Sequence, residues 1–190
     1  GRQLSRWSKQ WEITQTRPLA SVDALRTGLE PVIAAVPENL PWSLVHGDYR
    51  LDNTIIDHRE SRVIAVVDWE MATLGDPIAD LAIALVYWTQ AGDVMRQKVP
   101  VAEHITDQQG FWSRADIVDR YAARTGLSMD HLDACTALAC FKLAVIMESI
   151  RYRALQGMQV GAAADQADAM GEATHALAEL GLAVLDAGTL

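Results

Sequence analysis

Three side chains that could bind a divalent cation lie close together in the sequence, each at an end of a short apolar segment. Asp48 follows the first segment, Asn53 directly precedes the second, and Asp68 directly follows the third. Asn and Asp at strand ends often serve only to make turns. Oxygen-bearing side chains that converge where three strands end are, however, the ligands that Mg²⁺ prefers. The spacing therefore predicts a magnesium site at the ends of these strands.

A β-hairpin is predicted to bring two of these side chains together. Two runs rich in Val and Ile flank the polar, turn-like stretch 57–62, which is typical of a hairpin. A turn centred between Glu60 and Ser61 places Asn53 opposite Asp68. Opposed residues have Cβ atoms about 5 Å apart, so two oxygen ligands there can share one cation. The apolar strands are expected to bury and fix this pair.

The rest of the chain carries helical patterns, which predict a mainly α fold with a small β-hairpin patch. Asp76 is suited to cap a helix in which Pro77 takes the first position. Ser113 and Asp116 have the spacing of a capping box, and Gly126 is suited to end that helix. Further helices are predicted from Leu4 to Trp11, from Ser21 to about Val32, from Ser128 to about Gly157, and over 162–186.

Composition narrows the classes of partner. The chain has 190 residues and a net charge of −9, so its surface is not that of a general nucleic-acid binder. It contains no apolar run long enough to span a membrane and no signal-peptide pattern. A cytoplasmic protein is therefore expected. Cys135 and Cys140 are predicted to be reduced core residues, because a spacing of five does not place them on one helix face.

The site motifs resemble those of a known family. His46-Gly47-Asp48, four further residues and Asn53 resemble the catalytic loop of protein-kinase-like folds. Asp68-Trp69-Glu70, together with the stretch TLGDPIADLA, is similar to the aminoglycoside phosphotransferase and choline kinase family. The resemblance is closest to kinase-like domains related to those fused to acyl-CoA dehydrogenases, and RQLSRWSKQWE and FKLAVIMESI extend it over most of the chain. It implies that residues 1–190 form the C-terminal lobe of a kinase-like phosphotransferase.

The resemblance also implies roles for the residues. Asp48 would be the catalytic carboxylate that accepts or orients the proton of a substrate hydroxyl. Asn53 and Asp68 would hold the Mg²⁺ ions that bridge the phosphates of ATP. His46 would support the loop by bonding near the Asp68 segment. Asp80 would tie the following helix to the backbone of the loop.

Two further groups of residues complete the predicted site. Glu70 is either a weaker metal ligand or a plain exposed acid at a strand end. Glu148, Arg151 and Arg153 lie on a late helix that the fold would bring near the substrate cleft, where the arginines could meet a carboxylate or phosphate. The expected substrate is a small molecule with a hydroxyl group, either aminoglycoside-like or of hydroxyacyl type.

The part of a kinase-like fold that grips ATP has no match in this sequence. No glycine-rich phosphate loop and no strand Lys precede His46, and Lys9 lies on the predicted first helix. The N-terminal lobe is therefore expected to be absent from this chain, which alone should bind ATP weakly and turn over little. Such a fragment should expose an apolar strip near the hinge, which could drive homodimer formation.

Two other functions are compatible with the sequence. The chain could be a non-catalytic kinase-like scaffold, although a scaffold does not need Asp48, Asn53 and Asp68. It could also be a metal-dependent hydrolase with His46, Asp48 and Asp68 as ligands. A hydrolase of that type would need more histidine ligands, and the remaining histidines lie in contexts typical of turns or helix surfaces: His58, His104, His131 and His175.

Overall fold

In a computed structural model of the protein, residues 1–99, 105–158 and 167–188 are described, and they form six α-helices and two small antiparallel sheets. The helices are α1 (Arg2–Thr14), α2 (Ala20–Ala35), α3 (Pro77–Tyr87), α4 (Arg114–Thr125), α5 (Leu132–Leu155) and α6 (Ala167–Ala187). The strands are β1 (Ser43–Val45), β2 (Thr54–Asp57), β3 (Arg62–Val66) and β4 (Thr73–Gly75). The predicted mainly α fold with a small β patch is confirmed. Residues 162–166, predicted as the start of the last helix, lie outside the described ranges.

Helix α5 is the centre of the core. Its buried side chains join two hydrophobic clusters, one shared with α3 and α4 and the other with α1 and α2, and α6 contributes to both. Phe141 and Cys140 are fully buried on this helix. Helices α2 and α6 approach closely at Gly181, where an added Cβ atom would lie 2.6 Å from Leu25 Cδ2. The helices therefore form one compact support for the β-strands and their loops.

Several predicted helix ends are confirmed. Asp76 Oδ1 accepts a hydrogen bond of 3.0 Å from the Ile78 amide, and Pro77 takes the first helical position of α3. Ser113 and Asp116 form the predicted capping box of α4. Gly126 ends that helix with a φ of 69°, a conformation that glycine adopts without the cost of a Cβ clash.

Two predicted helix starts are wrong, because Ser21 and Ser128 do not cap helices. Helix α2 begins one residue earlier, and Ser21 Oγ instead lies 3.0 Å from His175 Nδ1. Helix α5 begins at Leu132, and Ser128 accepts a hydrogen bond from the Asp130 amide in the preceding turn. The same short polar side chains that favour helix caps also favour local turns and loop contacts.

The β2–β3 hairpin forms where it was predicted, but Asp57 pairs with Arg62, so its turn is centred one residue earlier than predicted. Ile55 pairs with Ala65 and Ile56 with Val63, so a bulge adds one residue to β3. At the open end the Val67 amide donates to the Asn53 carbonyl at 2.9 Å. Asn53 therefore lies opposite Val67, and its predicted pairing with Asp68 is wrong.

The strands are also less buried than expected. Ile55, Ile56, Val63 and Ile64 are each about half exposed, with exposed fractions between 47% and 54%. The second sheet pairs β1 with β4, and Leu44 lies opposite Leu74. Strand β4 was not predicted, because it has three residues and no apolar alternation.

No helix in the described ranges is long and apolar enough to cross a membrane.

Candidate active site

The loop that carries Asp48 begins directly after β1 and is held by backbone contacts to α3. The two oxygens of the Asp80 carboxylate accept hydrogen bonds from the His46 amide and, at 2.8 Å, from the Gly47 amide. Gly47 has a φ of +85°, and a Cβ atom there would lie 2.7 Å from the Met71 carbonyl oxygen. Glycine is therefore required at this turn, and Asp80 of α3 fixes the amides of His46 and Gly47.

His46 joins this loop to the segment that leads to Asp68. Its side chain is buried, and Nε2 lies 2.8 Å from the Val67 carbonyl oxygen. The Asp48 amide donates to Nδ1 at 3.3 Å. Because the carbonyl can only accept and the amide can only donate, the ring is neutral with its proton on Nε2. Both ring nitrogens are thus used within the protein, as expected for a supporting residue.

The Asp48 carboxylate has three polar neighbours. Asn53 Nδ2 donates to the Asp48 carbonyl at 2.8 Å and to Oδ2 at 3.3 Å. The Tyr87 hydroxyl lies 3.4 Å from Oδ1, and Arg50 Nε lies 3.6 Å from Oδ2. Burial, and then the negative charge of Asp48, raise the pKa of Tyr87 well above its usual range. Tyr87 therefore remains a neutral donor that helps to fix the carboxylate, which is still one-quarter exposed.

The two predicted metal ligands are positioned differently. Asn53 is 5% exposed, and its amide nitrogen is used by Asp48, so the amide oxygen is the atom it can offer to a cation. Asp68 is exposed and has the left-handed conformation, with φ 65° and ψ 52°, at the start of the short 3₁₀ turn Trp69–Met71. Such a conformation is unfavourable for a non-glycine residue and is concentrated at functional sites. Glu70 is also exposed, on the same turn.

Lys142 is a residue of the site that the sequence did not predict. From the middle of α5 its Nζ donates to the Gly47 carbonyl at 2.6 Å, and it lies 5.9 Å from the Trp7 ring centroid. Burial lowers the pKa of Lys142, although the charges of Asp48 and Asp80 act in the opposite direction. The sequence does contain one signal for this role, because Lys142 is the single charged residue in the apolar run 137–147.

A cavity of about 480 Å³ opens beside the loop. Gly47 and the turn that contains Glu70 line one side, Arg6 and Trp7 of α1 line another, and Lys142 of α5 lies between them. This cavity is large enough to hold a small molecule next to the residue that precedes Asp48.

The structure does not bring the predicted substrate residues of α5 to this site. Glu148 is fully buried and accepts hydrogen bonds from the Thr16 amide, at 3.0 Å, and the Thr16 hydroxyl. This position does not favour its predicted contact with a substrate, because the buried side chain ties α5 to the α1–α2 connection. Arg151 donates to the Ala167 carbonyl at 2.7 Å and to Asp168 at 3.0 Å.

Helix geometry explains the separation of these residues from the loop. At 1.5 Å per residue, Glu148 and Arg151 lie about 9 and 14 Å along α5 from Lys142. Arg153 is exposed on the same distal part of the helix, and its contact with a substrate remains a prediction.

Within the described ranges, the other histidines do not extend a metal site around His46. His58 is exposed in the hairpin turn, His175 is exposed on α6, and His131 is bound to Asp76. His104 lies outside the described residues. This arrangement does not favour the hydrolase alternative.

Comparison with known proteins agrees with the geometry. The family model described as the phosphotransferase enzyme family matches residues 1–135. Acyl-CoA dehydrogenase family member 11 of Rattus norvegicus is 34% identical over 165 residues, which cover 82% of this chain and 20% of that protein. Acyl-CoA dehydrogenase family member 10 of Mus musculus is 31% identical over 185 residues, which cover 94% of this chain and 16% of that protein. The chain thus spans about a fifth of the length of these relatives.

A solved structure shows the same fold. It is that of a Ralstonia eutropha JMP134 protein assigned to the aminoglycoside phosphotransferases, which superposes with a TM-score of 0.71 and is 30% identical. The match covers 94% of this chain and 54% of that one. The kinase-like fold is therefore confirmed.

Proposed function

Because the chain belongs to the phosphotransferase enzyme family, we propose that it transfers the γ-phosphate of ATP to a hydroxyl group of a small molecule in a magnesium-dependent reaction. The observation that carries this proposal is the position of Asp48 beside Asn53, joined through His46 to the backbone before Asp68. A scaffold does not require a carboxylate that is fixed by three polar side chains and still accessible.

The residues present fit a magnesium ion. Asn53 can offer an amide oxygen, and Asp68 offers an exposed carboxylate on a turn of fixed conformation. This donor set consists of oxygen atoms only, which suits Mg²⁺ and does not favour zinc. When bound, magnesium would neutralise charge on the phosphates of ATP.

The protein's own residues would align the reacting groups. The Asp48 carboxylate would accept a hydrogen bond from the substrate hydroxyl and direct its oxygen toward the γ-phosphorus. As the new O–P bond forms and the bond to ADP breaks, the hydroxyl proton passes to Asp48 or to solvent. Phosphoryl transfer needs mainly such positioning and charge stabilisation. Tyr87 and Asn53 would keep the carboxylate in place.

The cavity beside Gly47 is the proposed location of the small molecule. The relatives are named for acyl-CoA compounds and the solved structure for aminoglycosides, so the two substrate classes to test are hydroxyacyl compounds and aminoglycosides. A panel of both classes, assayed for ATP-dependent phosphorylation by mass spectrometry, distinguishes them.

The central test is Asp48→Asn, compared with Asp52→Asn in the full-length protein. Asp52 lies four residues further along, is exposed, and pairs with Arg50, so it controls for the loss of one negative charge. Asp48→Asn should lower kcat by about 10²–10⁴-fold, the usual contribution of a positioned acid–base group, whereas Asp52→Asn should retain most activity. Unchanged phosphotransfer in Asp48→Asn would overturn the proposal and favour the scaffold.

A further inference from the structure

A second group of side chains of the types that bind metals lies where α3 and α5 begin next to each other, and its Cys135 also lines the cavity beside Gly47. His131 Nε2 is 2.7 Å from Asp76 Oδ2, and Cys135 Sγ is 3.7 Å from the same oxygen. One ligand atom from each residue lies within 4.8 Å of the other two. All three residues are half-buried.

Each of these side chains is fixed by the helix on which it lies. Asp76 caps α3 with Oδ1, which leaves Oδ2 to face the other two residues. His131 directly precedes α5, and the Cys135 amide donates to the His131 carbonyl at 3.0 Å in the first turn. The three donors are thus held by backbone that the helices already order, which reduces the entropy lost when a ligand binds.

The donor types are those of a zinc site. Zinc is bound by Cys sulfur at about 2.3 Å, His nitrogen at about 2.0–2.1 Å and carboxylate oxygen at about 2.0–2.2 Å. A single ion with bonds of these lengths could contact all three ligand atoms, because the atoms lie within 4.8 Å of one another. Three protein ligands also leave a fourth position open for water or another ligand.

The thiol already points at the carboxylate, because Cys135 Sγ donates to Asp76 Oδ2 at 3.7 Å. A divalent ion bound here would replace the thiol proton in this contact. Cys140, five residues further along α5, is fully buried and is not part of this group.

An acidic cavity provides a path for a cation. Asp76 and His131 line a cavity of about 830 Å³, together with Asp130, Asp133 and Asp186. None of the described residues that line it is Lys or Arg. A cleft lined by charges of one sign raises the local concentration of the opposite ion.

From this geometry we propose that Asp76, His131 and Cys135 form a binding site for a zinc-like divalent ion, separate from the magnesium site at Asn53 and Asp68. The ion would link the start of α3 to the start of α5. The proposal does not depend on phosphotransfer.

The direct test is titration of the chelator-treated protein with Co²⁺, which reports its ligands by absorption. Co²⁺ bound to a thiolate gives a charge-transfer band in the near ultraviolet, and tetrahedral Co²⁺ gives intense visible bands. The wild type should show both at one equivalent. Cys140→Ser should do the same, and Cys135→Ser should lack the charge-transfer band.

A competition titration gives the affinity for zinc. Zn²⁺ should displace Co²⁺ from the wild type, and His131→Gln should weaken zinc binding by at least about tenfold, since even loss of an outer partner of a metal ligand has an effect of that size. Circular dichroism of each variant checks that it is folded. The proposal is overturned if the wild type shows no binding near one equivalent, or if Cys135→Ser gives the same spectrum as the wild type. The group would then be a His–Asp hydrogen bond with a neighbouring thiol.

Discussion

Gly47 is the residue at which the Asp48 loop has the least freedom to change. Gly47→Ala would combine a positive φ with a contact of 2.7 Å to the Met71 carbonyl. Gly92 is a matched control, because its φ is +89° and an added Cβ atom there would have no neighbour within 4 Å. Both variants should lose about 1–3 kcal/mol from the unfavourable conformation.

The difference between the two variants measures the steric contact. Gly47→Ala should be less stable than Gly92→Ala by a further 1 kcal/mol or more, roughly the cost of overpacking, and should also lose phosphotransfer activity. Urea unfolding followed by circular dichroism measures the stability. Equal losses of unfolding free energy in the two variants would contradict this prediction, because they would show that the backbone at Met71 moves to accommodate the added methyl group.

Lys142 is predicted to stabilise the loop through the Gly47 carbonyl. Lys142→Met should lose about 1–3 kcal/mol, the cost of leaving a buried acceptor without a partner. Lys9→Met, on the exposed face of α1, should have little effect. A kcat that falls only in Lys142→Met would show that the bond positions Asp48 as well as stabilising the fold.

The lowered pKa of Lys142 predicts how stability depends on pH. The unfolded chain keeps the lysine proton up to about the ordinary value of 10.5, whereas the folded protein releases it at lower pH. Between the two values the unfolded state binds more protons, so stability rises with pH. As pH is raised toward 10.5, the wild type should therefore gain free energy of unfolding relative to Lys142→Met. A constant difference across this range would contradict the burial of a charged lysine.

At the residue scale, most of the site residues that could be predicted were predicted from their spacing in one short stretch of sequence. His46, Asp48 and Asn53 lie within eight residues, and the hydrogen bonds among them follow from one loop. Tyr87 and Lys142 were missed because their contacts span 39 and 95 residues of sequence. Those contacts depend on how α3 and α5 pack, which no local pattern encodes.

At the scale of elements, the close approach of α2 and α6 gives a sharp packing test. Gly181→Ala would place a methyl group 2.6 Å from Leu25 Cδ2 and should destabilise by about 1–3 kcal/mol. Gly171, on the same helix, is the control, because an added Cβ atom there would meet mainly the Arg17 guanidinium.

Arg17 Nη2 donates to the Gly171 carbonyl at 3.0 Å and Nη1 lies 3.8 Å from Glu148 Oε1, so displacing this side chain offsets the gain of up to about 1 kcal/mol from helix propensity. Gly171→Ala should therefore be near neutral. Chemical unfolding of both variants gives the sign of each effect. A neutral or stabilising Gly181→Ala would show that α2 and α6 can separate without loss.

Element types were predicted better than their registers and ends. The hairpin followed from its Val- and Ile-rich runs, but its turn lies one residue earlier than predicted, since Asp57 pairs with Arg62. The bulge between Ile55 and Ile56 restores only part of the predicted register, so Asn53 still falls short of Asp68. The start of α5 was placed too early because Ser128 caps a turn instead of the helix.

At the scale of the whole molecule, we propose that the predicted self-association would use exposed apolar side chains on the two sheets. Leu44 and Leu74 lie opposite each other and are 62% and 65% exposed. The double variant Leu44→Lys/Leu74→Glu replaces this apolar pair with opposite charges that remain compatible with cross-strand pairing. The wild type should dimerise and the double variant should be monomeric in sedimentation equilibrium.

Ile13→Lys provides the control for that experiment. Ile13 is 68% exposed near the end of α1 and belongs to neither sheet, so its replacement should leave the dimer intact. A wild type that stays monomeric at all concentrations would contradict the prediction.

The β2–β3 hairpin also offers a place for a spectroscopic reporter. Its strands pack chiefly on each other, and His58 is exposed in the turn, so a fluorophore attached there would not disturb the helical core. His58 is five residues from Asn53 along the strand, or about 17 Å at the rise of a β-strand. A dye on His58→Cys, in a background that lacks the native thiols, would therefore lie within energy-transfer range of a labelled nucleotide while remaining clear of the Asp48 loop.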